Sequence, residues 1–75
     1  MSTDAVFVGL HLKRDGAEEL FAGYPLQTLP AIGHTLKLKL NRKGSQASGT
    51  HVWRVTGIQH ESSGIHVFCS WERAG

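Results

Sequence analysis

The sequence predicts an all-β domain, a small five-stranded and strongly bent antiparallel sheet or partly open barrel. An SH3-like barrel is the first expectation and an OB-like barrel the alternative. Three observations carry this. Segments rich in β-branched and aromatic residues alternate apolar and polar positions with a period of two. Turn-forming residues separate them, Asp15-Gly16 in the first hairpin and either Glu61 to Gly64 or only Ser63-Gly64 in the last. No stretch is long and periodic enough to place a helix between two strands, as an OB barrel would want. At 75 residues the chain supports one core, and residues 5–72 are read as a single domain.

The first strand spans Ala5 to Leu12, with Val6, Val8, Leu10 and Leu12 as its inward row and Phe7, Gly9 and His11 on the other face. Asp15-Gly16 supplies the positive φ angles of a two-residue hairpin turn, which sets Lys13 opposite Glu18 and Leu10 opposite Phe21. For residues 17–22 two readings compete. Asp15 with Glu18 also fits a helix N-cap, but Gly16 is poor in a first turn and a single turn gains little, so the extended reading is preferred.

Residues 23–33 hold both prolines and show no period, which reads as an ordered crossing whose Tyr24, Leu26, Leu29 and Ile32 plug one end of the barrel. In the third strand His34, Leu36, Leu38 and Leu40 alternate with Thr35, Lys37 and Lys39, one oily face and one charged. Asn41 to Gly49 reads as the flexible loop of the chain.

The last two strands form a hairpin from His51 to Glu72, on which the rest is expected to pack. Ile65, Val67, Cys69 and Trp71 make one apolar row, and cross-strand pairing brings Ile58 and His60 onto it. Strict alternation backwards from there exposes Trp53 and Val55 and buries Arg54. One extra residue at Thr56-Gly57 restores the phase, giving an inward set of Trp53, Val55, Ile58 and His60, so a bulge is predicted there. Arg73, Ala74 and Gly75 are expected to fray.

Leu29-Pro30-Ala31-Ile32-Gly33, the alternating strand after it, and Val55-Thr56-Gly57-Ile58-Gln59-His60 together resemble a group of short bacterial proteins of unassigned function. Their pattern is roughly Leu-Pro-x-Ile/Val-Gly, an alternating strand, then Val-x-x-Val/Ile-x-His. His34 stands where those proteins commonly carry an acidic residue or its amide. The resemblance implies a small β fold and brings no catalytic residue with it.

Composition narrows the function classes. A lone Cys69 excludes an internal disulfide and any Cys-rich zinc motif, and fits a reducing compartment. The Met-Ser-Thr-Asp start lacks the marks of a signal peptide and no stretch is long enough to span a bilayer, so a cytoplasmic protein without membrane contact is expected. No nucleophile, acid–base pair or small-molecule site stands out, and a non-enzymatic role without cofactor follows. The five histidines show no zinc-type spacing and no metal site is assigned. His34 and His51 are the pair that strand ends would bring together, and His60 the one placed inward.

Two binding roles remain. Phe7 and Phe68 face away from the core and are candidate interface residues, with the first or last strand as an exposed edge for a protein partner or a second copy. Lys37, Lys39, Arg42, Lys43 and Arg54 are candidate contacts to single-stranded nucleic acid, because basic side chains near exposed rings supply phosphate neutralisation and stacking. The net charge of +2 is too small to decide between them. The leading expectation is a protein-interaction or self-assembly module, with nucleic-acid binding as the alternative.

Overall fold

A computed structural model describes residues 4–75. The first three residues of the Met-Ser-Thr-Asp start lie outside the described residues. The five strands are β1 (Val6–Arg14), β2 (Ala17–Leu26), β3 (Thr35–Leu40), β4 (Gly49–Glu61) and β5 (Gly64–Ala74). They form one sheet in the order β2-β1-β5-β4-β3, curled into a half-barrel. The expected all-β, five-stranded architecture is present. One pairing differs from the expectation: β1 and β5 run parallel, so the sheet is mixed rather than wholly antiparallel.

Local chemistry explains the first hairpin. Asp15 and Gly16 adopt φ of 54° and 82°, the left-handed pair that a two-residue turn requires. The register then pairs Lys13 with Glu18 and Leu10 with Phe21, as the turn dictates. Residues 17–22 are strand rather than helix. β2 also continues through Tyr24 and Pro25 to Leu26, so the crossing is shorter than expected. Proline is tolerated there because β2 is an edge of the sheet and its outward amide has no partner to lose.

Three irregularities curl the sheet. Thr56 is the extra residue between Val55 and Gly57, at the predicted bulge. A second shift between Val52 and Trp53 leaves Glu72 unmatched on β5. A third lies between Val8 and Leu10, where β2 carries the additional residue beside Gly23 at φ 66°. Each adds local twist. With the phase restored at Thr56, Trp53 and Val55 are buried, at 0 % and 1 % exposure. They meet Val8, Leu10, Leu12, Val67 and Cys69 on the concave side, joined by Phe21, Leu26, Leu38 and Leu40. Each such apolar side chain stabilises the fold by roughly 1.5–3 kcal/mol on burial.

The open seam of the half-barrel lies between β2 and β3, and the segment after β3 spans it. Arg42 stacks over the Phe21 ring at 3.7 Å and donates to the Leu20 carbonyl at 3.2 Å. Ser45 donates to the Glu19 carboxylate, Arg14 donates to the Gln46 carbonyl at 3.0 Å, and Ala47 is buried in the core cluster. Within the loop the Arg42 amide donates to Ser48 Oγ at 2.8 Å and the Ser48 hydroxyl donates to the Arg42 carbonyl. Low hydrophobicity suggested a flexible loop; instead it is hydrogen-bonded within itself and to the first hairpin.

Several positions depart from the sequence reading. Leu29 and Ile32 are exposed rather than plugging the barrel, while Tyr24 and Leu26 do pack on the core. His34 and His60 are exposed, not inward. The last residues stay paired, His51 with Ala74, and the Gly75 amide donates to the Thr50 carbonyl at 3.0 Å. The sheet edges are β2 and β3, because β1 and β5 each have neighbours on both sides.

Candidate functional site

The convex face of β1, β2 and β5 carries the least conventional chemistry of the molecule. Alternation along β1 points Phe7, Gly9 and His11 outward, and along β5 it points His66 and Phe68 the same way. Parallel pairing sets Gly9 beside His66 and His11 beside Phe68. His11 stacks on Phe68 with ring centroids 4.3 Å apart, and His11 Nε2 lies 2.8 Å from His66 Nδ1. Phe68 is therefore half-buried under its neighbours, whereas Phe7 keeps 65 % of its surface exposed.

Beside this network lies a groove of about 320 Å³ whose walls include Phe7, Leu20, Ile65 and His66. Its lining includes three glycines, Gly9, Gly23 and Gly64. Leu20 is also exposed, at 46 %. Two large apolar side chains thus flank one hollow on a face that is otherwise polar or satisfied. Glu18 and Glu61 lie beside the two imidazoles, 3.7 Å from His11 Nδ1 and 3.9 Å from His66 Nε2 respectively.

The basic candidates separate into two groups. Arg42 is held by Phe21 and Leu20, as described above. Arg54 forms an ion pair with Glu72 at 2.6 Å and donates to the Gly33 carbonyl at 2.7 Å. Both guanidinium groups therefore already have partners. The Arg54 guanidinium, with Arg73 beside it, holds the Glu72 carboxyl below the usual carboxylate range. Lys37, Lys39 and Lys43 are exposed and make no ion pair among the described residues. They lie on β3 and the following loop. A second hollow, of about 590 Å³, lies nearer that side, between Leu29, Pro30, His34, Leu36 and Arg54.

The histidines are arranged differently from the expectation. Leu38 pairs with His51, whereas the His34 carbonyl accepts from the Val55 amide, so His34 lies just beyond one end of the β3–β4 ladder and His51 sits within it, level with Leu38. The His51 ring is packed between Trp53 and Trp71, 6.2 Å from each, and its Nε2 donates to the Ser48 carbonyl at 2.9 Å. The pair that does form is His11 with His66. Parity alone placed both outward, but their contact depends on β1 lying beside β5, which no local signal specifies. No group of three or more metal-capable side chains assembles among the described residues. Cys69 is buried, and burial pushes its thiol up to about 11, which suits a packing role. No described helix is long and apolar enough to cross a membrane. Comparison of the chain with family models, with curated proteins and with solved structures gives no match.

Proposed function

We propose that this chain is a non-enzymatic protein-interaction or self-assembly module of the cytoplasm, docking through the convex face around Phe7. The carrying observation is Phe7 at 65 % exposure next to Leu20 at 46 %, flanking one groove. Covering a phenylalanine is worth roughly 1.5–3 kcal/mol when complete, and two exposed apolar side chains beside one groove make the contiguous kind of patch that supports a contact surface. Phe68 supports this face from beneath through His11 rather than meeting a partner directly. The free thiol of Cys69 is in keeping with a reducing compartment.

Light scattering coupled to size exclusion tests the self-assembly form of this reading. A dimer that Phe7→Ser converts to monomer, with the fold retained, supports it. A monomer across the accessible concentration range confines the proposal to a different protein partner.

The lysines favour a second reading, a contact to single-stranded nucleic acid through Lys37, Lys39 and Lys43, with Arg42 and Arg54 as scaffold. Anisotropy of a labelled oligonucleotide at low salt checks it, because phosphate neutralisation is strongest there. No binding at low salt removes this reading.

A further inference from the structure

The contact between His11 and His66 is not needed for a docking surface and asks for its own explanation. Two imidazole nitrogens 2.8 Å apart share one proton, since two lone pairs or two N–H groups would repel. The far nitrogen of each ring faces a carboxylate, Glu18 Oε1 at 3.7 Å from His11 Nδ1 and Glu61 Oε1 at 3.9 Å from His66 Nε2. The series Glu18, His11, His66, Glu61 crosses four neighbouring strands, β2, β1, β5 and β4. At these charge-pair distances each carboxylate favours an N–H on the outer nitrogen, which leaves the inner lone pair for a metal ion.

Gly9 contributes a second, independent requirement. A Cβ at that position would stand 3.0 Å from His66 Nδ1 and 3.3 Å from its Cε1. The nitrogen that faces His11 therefore keeps its space because residue 9 has no side chain. The groove also opens at His66, which leaves a bound ion access to water.

We infer that His11 Nε2 and His66 Nδ1 form a two-histidine site for a divalent transition-metal ion, with Glu18 and Glu61 orienting the rings and water filling the other positions. Geometry selects among ions. Metal–nitrogen bonds of about 2.0–2.1 Å at right angles place the two nitrogens roughly 2.9 Å apart, close to the observed spacing, whereas a tetrahedral ion needs about 3.3 Å. Cu²⁺ and Ni²⁺ therefore need less movement of the two nitrogens than Zn²⁺. The rings meet nearly end to end, with centroids 5.1 Å apart, so both turn to bring their lone pairs onto the ion. The ring that donates in the contact tautomerises, its proton leaving the inner nitrogen as its own outer nitrogen, which faces the carboxylate, takes one up, so both imidazoles stay neutral. The site does not rest on the docking reading.

The test titrates the intact chain with CuCl₂ and, separately, NiCl₂ and ZnCl₂, following the imidazole resonances by NMR and the affinity by calorimetry. The site gives one equivalent of binding, with His11 and His66 perturbed before His34, His51 and His60. His11→Gln and His66→Gln each weaken binding at least about ten-fold, Glu18→Gln and Glu61→Gln weaken it by up to about ten-fold, and His60→Gln changes nothing. Uniform perturbation of all five histidines of the unmodified chain overturns the assignment, as does unchanged affinity in a folded His66→Gln. The spectrum of the unmodified chain decides the matter even where a variant does not fold.

Discussion

The two faces of the β1–β5 pair show how the same strands meet opposite demands. On the concave side Val8, Leu10, Leu12, Val67 and Cys69 are each at most 2 % exposed and belong to one apolar cluster. On the convex side, one residue along, stand an exposed Phe7, a glycine, two histidines sharing a proton and a half-buried Phe68. The concave row is explained in full by burial. The convex row is not, since an open aromatic ring and paired imidazoles add little to a fold that could place Thr or Lys there. The difference teaches that burial fixes the residues of one face of a strand and leaves those of the other open to chemistry unrelated to the core.

Substitutions can break this contrast in graded steps. Trp53→Ala, at the centre of the concave face, removes a fully buried ring and is expected to cost about 3–5 kcal/mol, read as a collapse of the urea midpoint. A loss below about 1 kcal/mol would mean that the core does not converge on Trp53. Gly9→Val on the convex face drives a side chain into His66 and is expected to cost roughly 1–3 kcal/mol. Its signature is separation of the His11 and His66 resonances from their coupled positions, which no concave substitution of similar cost reproduces.

Smaller effects sharpen the picture at the seam. Arg42→Ala removes the ring contact with Phe21 and the bond to the Leu20 carbonyl, an expected loss of about 1 kcal/mol. Faster amide exchange in β2 than in β4 would accompany it, because the loop fastens the open edge. Glu72 adds a pH dependence of known sign. Its folded pKa is lowered, so its contribution is present above the ordinary carboxylate range and is lost as pH falls through the lowered value. Glu72→Gln should accordingly flatten the acid limb of a melting-temperature profile and leave the alkaline limb unchanged. Phe7→Ser is the smallest change, within about 0.5 kcal/mol for the monomer. A large loss of stability in the monomer would make Phe7 a structural residue and withdraw it from any interface.

Much of the strand plan was legible because its signals are local. Asp15-Gly16 dictates its own turn and hence the register of the five residue pairs from Arg14 with Ala17 to Leu10 with Phe21. The need to hide Trp53 and Val55 while exposing Arg54 forced an extra residue at Thr56. His60 was misplaced for an equally specific reason: parity put it on the inward row, but His60 lies near the hairpin tip, beyond the reach of the core. The loop after β3 was misread since its polar residues satisfy one another and Glu19, an outcome that composition does not encode. Leu29 and Ile32 lie past the end of β2 and are exposed, whereas Tyr24 and Leu26, within β2, pack on the core.

What the chain's order of residues determined unaided is what alternation and turn chemistry set: five strands, two tight hairpins, one obligatory bulge and the buried row apart from His34 and His60. Tertiary structure alone decided which strands became neighbours. The parallel meeting of β1 and β5 joins residues 55 positions apart, His11 and His66, and creates both the convex network and the unpaired edges at β2 and β3. The physical reason is that a strand's faces follow from its own backbone, whereas its partner is chosen by the closure of the whole sheet around one core.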